Sequence, residues 1–422
     1  MVDLVRAFGR NTFSSLAIRN YRLYFIGQAI SLSGTWMQTV ALGWLVLVLT
    51  QSGGQLGIVV ALQFLPILFL GPWGGTVVDR VDTRKILYWT QISGGLIAGI
   101  LSFVIYFGFV QLWMIYVCSF LLGLTRVFDN PARQTFASEM VGREHLKNAI
   151  SLNSTANNLA RAVGPSIGGI IIAAFGIAFC FLFNTLSYAA TIAVLYLMDG
   201  EELHRAEADT KKRGSIMDGL RYVRGHHFIK TTLLMMAVIG TFAYEFQVSL
   251  PLLAQQTFHG TASNYAALMT SFGLGSVVGG LFAAGRKDTT RKQLVTYMFV
   301  FGIAMLATAI APILRLAIIG MGVVGFFSIQ VLSNANTMIQ LGSAEDMRGR
   351  VMALWSVAMI GTTPIGGPIV GFIGEHLGAR WGLAIGGIAT VATALYAASL
   401  LNSPTWRQHP PKIQVLDEEV KI

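Results

Sequence analysis

The chain has 422 residues, 54% of them hydrophobic and only 12% charged, about half the ~25% charge of an ordinary soluble domain. So few charges cannot cover a water-facing surface of this size, so lipid must meet much of it and a soluble globular fold is excluded. The net charge of +10 would point to nucleic acid in a soluble domain, but the basic residues fall in short clusters between apolar runs, where they mark topology instead.

A helix crosses the ~30 Å hydrocarbon layer in about 20 residues. Apolar stretches predict twelve such spans at 21–49, 55–78, 86–108, 111–136, 148–174, 177–198, 230–254, 264–285, 293–312, 316–340, 349–374 and 379–401. No apolar core precedes Tyr21, so no cleavable signal is expected and the first span targets the chain itself. The hydrophilic stretch 199–229 sits at the midpoint and reads as a linker, with a short interfacial helix over 216–223. The expected organisation is therefore a bundle over 1–198, a linker over 199–229, a second bundle over 230–401 and a tail over 402–422. Of 30 Lys and Arg, Arg315 and Arg380 lie in the loops of one side and Arg126 and Arg161 deep inside spans, while the rest gather at the termini, in the loops of the other side and at the span ends that meet those loops. The excess of positive charge marks the cytoplasmic side, so both termini of this multi-pass protein are expected inside.

The halves repeat. Gly164-Pro165-Ser-Ile-Gly168 in span 5 matches Gly367-Pro368-Ile-Val-Gly371 in span 11, 203 residues on, and Gly74-Gly75 in span 2 matches Gly279-Gly280 in span 8, 205 residues on. Equal motifs on the same membrane side imply a parallel repeat with an even number of spans per half, hence six plus six. Such halves enclose a midplane cavity and alternate its access by rocking. The fold class is thus all-α and polytopic, with twelve transmembrane helices in two parallel six-helix bundles.

These residues resemble the major facilitator superfamily over essentially the whole chain. The loop Gly75-Thr-Val-Val-Asp79-Arg80-Val-Asp82-Thr-Arg84-Lys85 is similar to the superfamily's signature Gly-x-Leu-Ala-Asp-Arg-x-Gly-Arg-Lys, with Asp82 in place of the second Gly and Thr83 in place of an Arg. The resemblance implies that Asp79 braces span 2 against the start of span 11 in the outward-facing state, and Arg350 is its expected partner. Ala283 and Ala284 stand where a second-half Asp would fall, so the brace should be one-sided. Gly164, Pro165, Gly168 and Gly169 resemble the span-5 motif of the superfamily's antiporters, which implies export. Arg126-Val-Phe-Asp129 resembles an Arg-x-x-Gln motif associated with proton coupling, with Asp replacing Gln. The run from Arg126 to Phe136, with Asn157, Asn158 and Arg161 later, looks like the branch of drug-efflux transporters that contains the enterobactin exporter and the transmembrane secretion effectors. A monomer is the superfamily's default.

Ionisable residues inside a membrane are costly and mark function. Only two acids fall within the expected spans, Asp129 and Glu245, and no His does. Both are proton-coupling candidates together with Arg126. Glu245 lies about 22 Å along span 7, in the outer half of the membrane. Its plainer reading is a carboxylate paired for packing, and that of Asp129 is an ion pair with Arg126 at i, i+3. Arg126 and Arg161 together would favour an anionic substrate, or would hold a carboxylate ionised until substrate displaces it; alternatively they bond neighbouring helices. Polar residues recur at helical spacing in three spans: Gln28, Ser31, Thr35 and Gln38; Ser154, Asn157, Asn158 and Arg161; Gln330, Ser333, Asn334 and Thr337. Such stripes avoid lipid and face either a cavity or another helix. Trp36, Phe64, Tyr244, Phe246 and Trp355 are candidates for an apolar pocket wall, each with packing as its plainer reading.

No phosphate-binding loop of the Gly-x-x-x-x-Gly-Lys-Ser/Thr type is present, so ATP hydrolysis by that route is not expected. No Cys/His cluster has metal spacing, and no cofactor, metal or nucleic acid is expected. Cys118 and Cys180 each sit in an apolar span and read as small buried residues. The expected activity is secondary active export of a small amphipathic molecule, a drug or siderophore in class, by proton antiport. The alternatives are an uncoupled facilitator or importer, a lipid flippase of the same fold, and a receptor or scaffold using this architecture.

Overall fold

A computed structural model describes residues 14–204, 216–286, 289–401 and 403. Those residues form helices and turns with no strand among them, and twelve of the helices are long and apolar enough to cross a membrane. They are α1 (Arg19–Thr50), α2 (Gly53–Val78), α3 (Thr83–Tyr106), α4 (Leu112–Gly142), α5 (Glu144–Phe175), α6 (Ile177–Leu197), α7 (His227–Thr257), α8 (Ala262–Ala284), α9 (Arg291–Ala309), α10 (Leu314–Gly342), α11 (Arg348–His376) and α12 (Ala379–Leu400). An amphipathic helix, Ile216–Gly225, precedes α7. The tail over 402–422 lies outside the described residues except for Ser403, as does the stretch 205–215.

Three features depart from the spans expected above. The segment 137–147, expected as a loop, is helical: α4 and α5 run into each other, broken only at Gly142, whose φ of 64° takes it out of the helix. With ψ at −177° this backbone lies in a region reached almost only by glycine, and it would cost an L side chain about 1–3 kcal/mol. The seventh span is not one helix, because Tyr244 and Glu245 interrupt it between Ala243 and Phe246. The eleventh is likewise interrupted between Met359 and Thr363.

Short turns are set by local chemistry. Ser52 caps α2 by accepting from the Gln55 N–H at 3.2 Å, and Thr290 with Gln293 forms a capping box at the start of α9. Asp82 caps α3, accepting from the backbone N–H groups of Arg84 at 2.9 Å and Lys85 at 3.3 Å. An acceptor at this position satisfies donors that a glycine would leave to water, which accounts for the departure from the signature loop.

Glycines set the helix contacts. A Cβ at Gly74 would fall 2.5 Å from the Val127 carbonyl oxygen, and one at Gly279 would fall 2.6 Å from that of Phe326. The first glycine of each repeated pair thus packs α2 on α4 in one half and α8 on α10 in the other. Between halves, α2 packs on α11 and α5 on α8. A Cβ at Gly57 would meet the Gly367 carbonyl carbon and the Pro368 Cα at 2.7 Å, and one at Gly53 would meet the Gly371 oxygen at backbone contact. On the other flank, a Cβ at Gly169 would lie 2.6 Å from the Ala266 Cβ, and one at Gly273 would lie 2.6 Å from the Ala162 Cα. Small residues allow such backbone approach where apolar burial cannot drive association in lipid. These inter-half approaches cluster toward the ends of the helices away from the basic loops, here called the far face. At that rim the Glu375 carboxylate accepts from Ser52 Oγ at 2.6 Å and from the Gly54 N–H at 2.8 Å, which ties α11 to the start of α2.

Candidate functional site

A cavity of about 460 Å³ opens among the six helices α1 to α6, and Gln247 and Ile360 of the second half close one side of it. This volume suits a small organic ligand. Its wall carries Gln28, Ser31 and Thr35 of α1, Asn157 of α5 and Arg126 and Asp129 of α4, with the aromatic rings of Trp36 and Phe64. Among them, Gln28 donates to Asn153 Oδ1 at 2.7 Å, Asn157 donates to the Asn153 carbonyl at 2.9 Å, and Thr35 Oγ1 donates to the Ser31 carbonyl at 2.9 Å.

Other residues with the same spacing turn elsewhere. Gln38 accepts from Asn184 Nδ2 at 2.5 Å, a buried bond between α1 and α6. Gln330 donates to the Gly279 carbonyl at 2.6 Å and so joins α10 to α8. Asn334 is buried and its Oδ1 has no partner. Asn158 is half-buried and Ser154 exposed, and neither lines this cavity. Of the remaining aromatic candidates, Phe246 packs on Phe272 at 4.5 Å between ring centres, Tyr244 donates to the Ser328 carbonyl at 3.0 Å, and Trp355 lies in the second-half core.

The partner of Asp129 is Arg133 at 2.6 Å, one helical turn further on, and not Arg126. Two neighbours on α3 complete the network: Thr90 Oγ1 and Gln91 Nε2 donate to Asp129 Oδ1 at 2.8 and 2.7 Å, and Arg133 Nη2 donates to Gln91 Oε1 at 3.0 Å. Such a charge-assisted network fixes α3 against α4 at the cavity wall. Arg133, Thr90 and Gln91 escaped the sequence reading. Arg133 was grouped with the basic ends of the spans, although its i, i+4 relation to Asp129 carried the signal.

Glu245 occupies the break in α7, only 4% exposed. Its backbone carbonyl accepts from the N–H groups of Val248 and Ser249 at 3.0 and 2.9 Å, starting the next helical piece. The carboxyl faces the break in α11. A Cβ at Gly366 would meet its Oε1 at 2.9 Å and one at Gly367 its Oε2 at 3.6 Å. Oε1 has no hydrogen-bond partner, and among the described residues no Lys or Arg pairs with this carboxylate. The helical piece that it faces, Thr363–His376, presents its N-terminus there, where backbone N–H groups carry partial positive charge.

Arg161 lies with its guanidinium 5.2 Å from the centre of the Trp36 ring, and its Nε has no partner. The span-5 glycines hold it there. A Cβ at Gly164 would lie 2.6 Å from the Trp36 Cβ, and one at Gly168 would lie 3.1 Å from Met37 Cγ. Gly169 serves the opposite side of α5 against α8, and Pro165 lies between within the helix.

In the signature loop, Asp79 caps α2 with its N–H bonded to the Gly75 carbonyl at 3.2 Å. Arg80 is exposed. Arg84 donates to the carbonyls of Leu195 and Met198 at 3.1 and 3.0 Å, tying the start of α3 to the end of α6. A cation on those last carbonyls complements the helix dipole. Arg350, the expected partner of Asp79, adjoins the linker helix, where a Cβ at Gly219 would meet its Cβ at 3.1 Å. Cys118 and Cys180 are buried free thiols.

The family described as transmembrane secretion effectors matches residues 10–415. The Staphyloferrin A transporter of Staphylococcus aureus is 25% identical, covering 89% of this chain and 94% of its own length. The multidrug efflux pump Tap of Mycolicibacterium fortuitum is 26% identical, covering 82% and 87%. Among solved structures, the nucleoside transporter NupG superposes with a TM-score of 0.73 at 11% identity, over 91% of this chain and 100% of that one, a likeness of fold.

Proposed function

Because this chain belongs to the transmembrane secretion effectors, multi-pass transporters of the major facilitator class rather than enzymes, we propose that it exports a small amphipathic molecule by proton antiport with alternating access. The reading places it in a bacterial cytoplasmic membrane as a monomer, with both termini and the basic loops inside, and it takes 1–198 and 230–401 as the two moving bundles. The basic loops support that orientation, and the relatives named for efflux support the direction. With the far face closed by the α2–α11 and α5–α8 contacts, the structure then corresponds to the state that loads from the cytoplasm.

One observation carries the coupling: the Glu245 carboxyl is buried without a cation partner where the breaks of α7 and α11 meet. An ion there lacks the pairing that buried charges ordinarily require, so a proton is the counter-charge that the site can accept. Asp129, by contrast, is held by Arg133, Thr90 and Gln91, and acts as the brace of the cavity wall. In the cycle, Glu245 takes a proton while the cavity faces outward, substrate leaves, and the proton is released inside. In the outward-facing state Asp79 and Arg350 come together as the inner brace. Moving one charge through 100 mV supplies ~2.3 kcal/mol, enough for about 40-fold accumulation.

The test is uptake into everted membrane vesicles of a panel containing a macrolide, a carboxylate siderophore and a cationic dye, with and without a protonophore. Protonophore-sensitive uptake of at least one compound, lost in Glu245→Gln, is expected. Uptake that ignores the protonophore, or that survives undiminished in Glu245→Gln, would overturn the coupling.

A further inference from the structure

Resting on the reading of this cavity as the transport site, we infer that it selects amphipathic organic monoanions, with the anionic group taken by Arg126. The charges on the wall do not balance. Arg126, Asp129 and Arg133 are the charged side chains among its lining residues, two cations against one anion, which leaves a net charge of +1. The acid is fully engaged: Arg133 Nε meets Asp129 Oδ2 at 2.6 Å, and Thr90 and Gln91 donate to Oδ1 at 2.8 and 2.7 Å. Arg126 is left over, and among the described residues it makes no ion pair. Neither Glu245 nor Arg161 lies on this wall. The Glu245 carboxyl faces Gly366 and Gly367 instead.

The depth of Arg126 makes the imbalance costly. It stands about 21 Å from the far-face end of α4 at Leu112, at 1.5 Å per residue, inside a hydrocarbon layer of ~30 Å. A cation held there without a counter-charge is expensive, and a ligand with one negative charge offsets that expense while it is bound. The same field repels a cationic ligand and gives a neutral one no such gain. A guanidinium meets a carboxylate through two parallel N–H donors. Asn130, one turn further along α4, lines the same cavity and shares that helix face, so its amide stands beside the anionic group. The apolar body of the ligand has its own wall, because Leu32, Trp36, Phe64 and Ile67 line the cavity too.

The test is calorimetric titration of the full chain in nanodiscs with aryl carboxylates from phenylacetate to 6-phenylhexanoate, and with the amide and the amine of each length, at constant ionic strength and against empty nanodiscs. The expected result is saturable carboxylate binding at one or more lengths, at least ~10-fold tighter than the matching amide, with the amine weaker still. Arg126→Gln should bring carboxylate and amide to near-equal affinity. Arg126→Lys should retain part of the preference, because it keeps the charge and loses the fork. Absence of carboxylate binding at every length, amides or amines that bind as tightly, or a preference unchanged in Arg126→Gln would overturn the inference. If Arg126→Gln fails to fold, the comparison of the three ligand charges on the unaltered chain still decides. Protonophore-sensitive flux of a cationic dye without carboxylate binding would refute the anion site and leave the exporter reading intact. Carboxylate binding that depends on Arg126, without flux of any compound, would do the reverse.

Discussion

A methyl group at Gly57 should push the protein out of the far-closed state. Built on the backbone, its Cβ lies 2.7 Å from both the Gly367 carbonyl carbon and the Pro368 Cα, whereas ordinary contact begins at 3.4 Å. Both neighbours are backbone atoms of α11, so no side chain can swing away, and the helices must separate by roughly 0.7 Å at a crossing where packing is the main attraction. Overpacking of this kind costs about 1–3 kcal/mol. If α2 and α11 part when the cavity opens to the far face, the cost falls on one state only and shifts the balance by about 5- to 150-fold. The assay uses a single cysteine at Gln247 on the cavity wall, in a Cys118→Ala/Cys180→Ala background, labelled by a membrane-impermeant maleimide from either side. Gly57→Ala should raise the labelling rate from the far face and lower it from the basic face. Unchanged rates accompanied by a lower melting temperature would mean that the crossing persists in both states, and the reasoning would fail.

Three further outcomes follow from named contacts. Asp129→Asn leaves Arg133 buried beside a neutral partner and should cost about 3 kcal/mol, seen as a lower melting temperature; Asp129→Asn with Arg133→Gln should recover most of it, and an equal loss in the double variant would deny the pair its role. Glu375→Gln removes the charge from the bonds to Ser52 and Gly54 at an exposed rim, so far-face labelling of the Gln247 cysteine should rise only a few-fold; no rise would show that this contact does not hold the gate. Gly142→Ala places a side chain at φ 64° and ψ −177° and should lower stability to denaturant by about 1–3 kcal/mol, and unaltered stability would show that the junction of α4 and α5 relaxes freely.

Much of the fold was legible because lipid imposes a crude rule: a span needs length and few charges, and the twelve stretches satisfy it wherever their exact caps fall. The Gly-Gly repeat was legible for a similar reason, since Gly74 and Gly279 meet neighbouring backbones in the same way in each half. Helix continuity was not legible. Nothing in the hydropathy of the seventh span marks a break at Tyr244 and Glu245, because the interruption is set by packing against α11, which lies more than a hundred residues away. The segment 137–147 looked like a loop because it is polar, yet polarity at a membrane surface does not stop a helix.

The side-chain site was less legible still. A polar stripe says that a face avoids lipid, but it does not say what the face meets. Gln28 and Gln38 lie on one stripe of α1, and only Gln28 lines the cavity, because Asn184 of α6 is there to take Gln38. Gln330 is similarly claimed by a bare glycine carbonyl on α8. Arg133 was hidden by the opposite error: a cation near a span's end looks like a topology signal until the α3 residues that surround it are known.

The claim beneath all of this is that the cavity opens to one face as it closes to the other. Spin-label pairs would measure it, one across the far rim at Gln51 and Leu377 and one across the basic rim at Val81 and Glu345, all exposed positions, with distances recorded in nanodiscs over a range of pH and ligand. The account predicts reciprocal change, the far pair lengthening in the conditions that shorten the basic pair. Two distances that stay fixed, or that lengthen together, would contradict it.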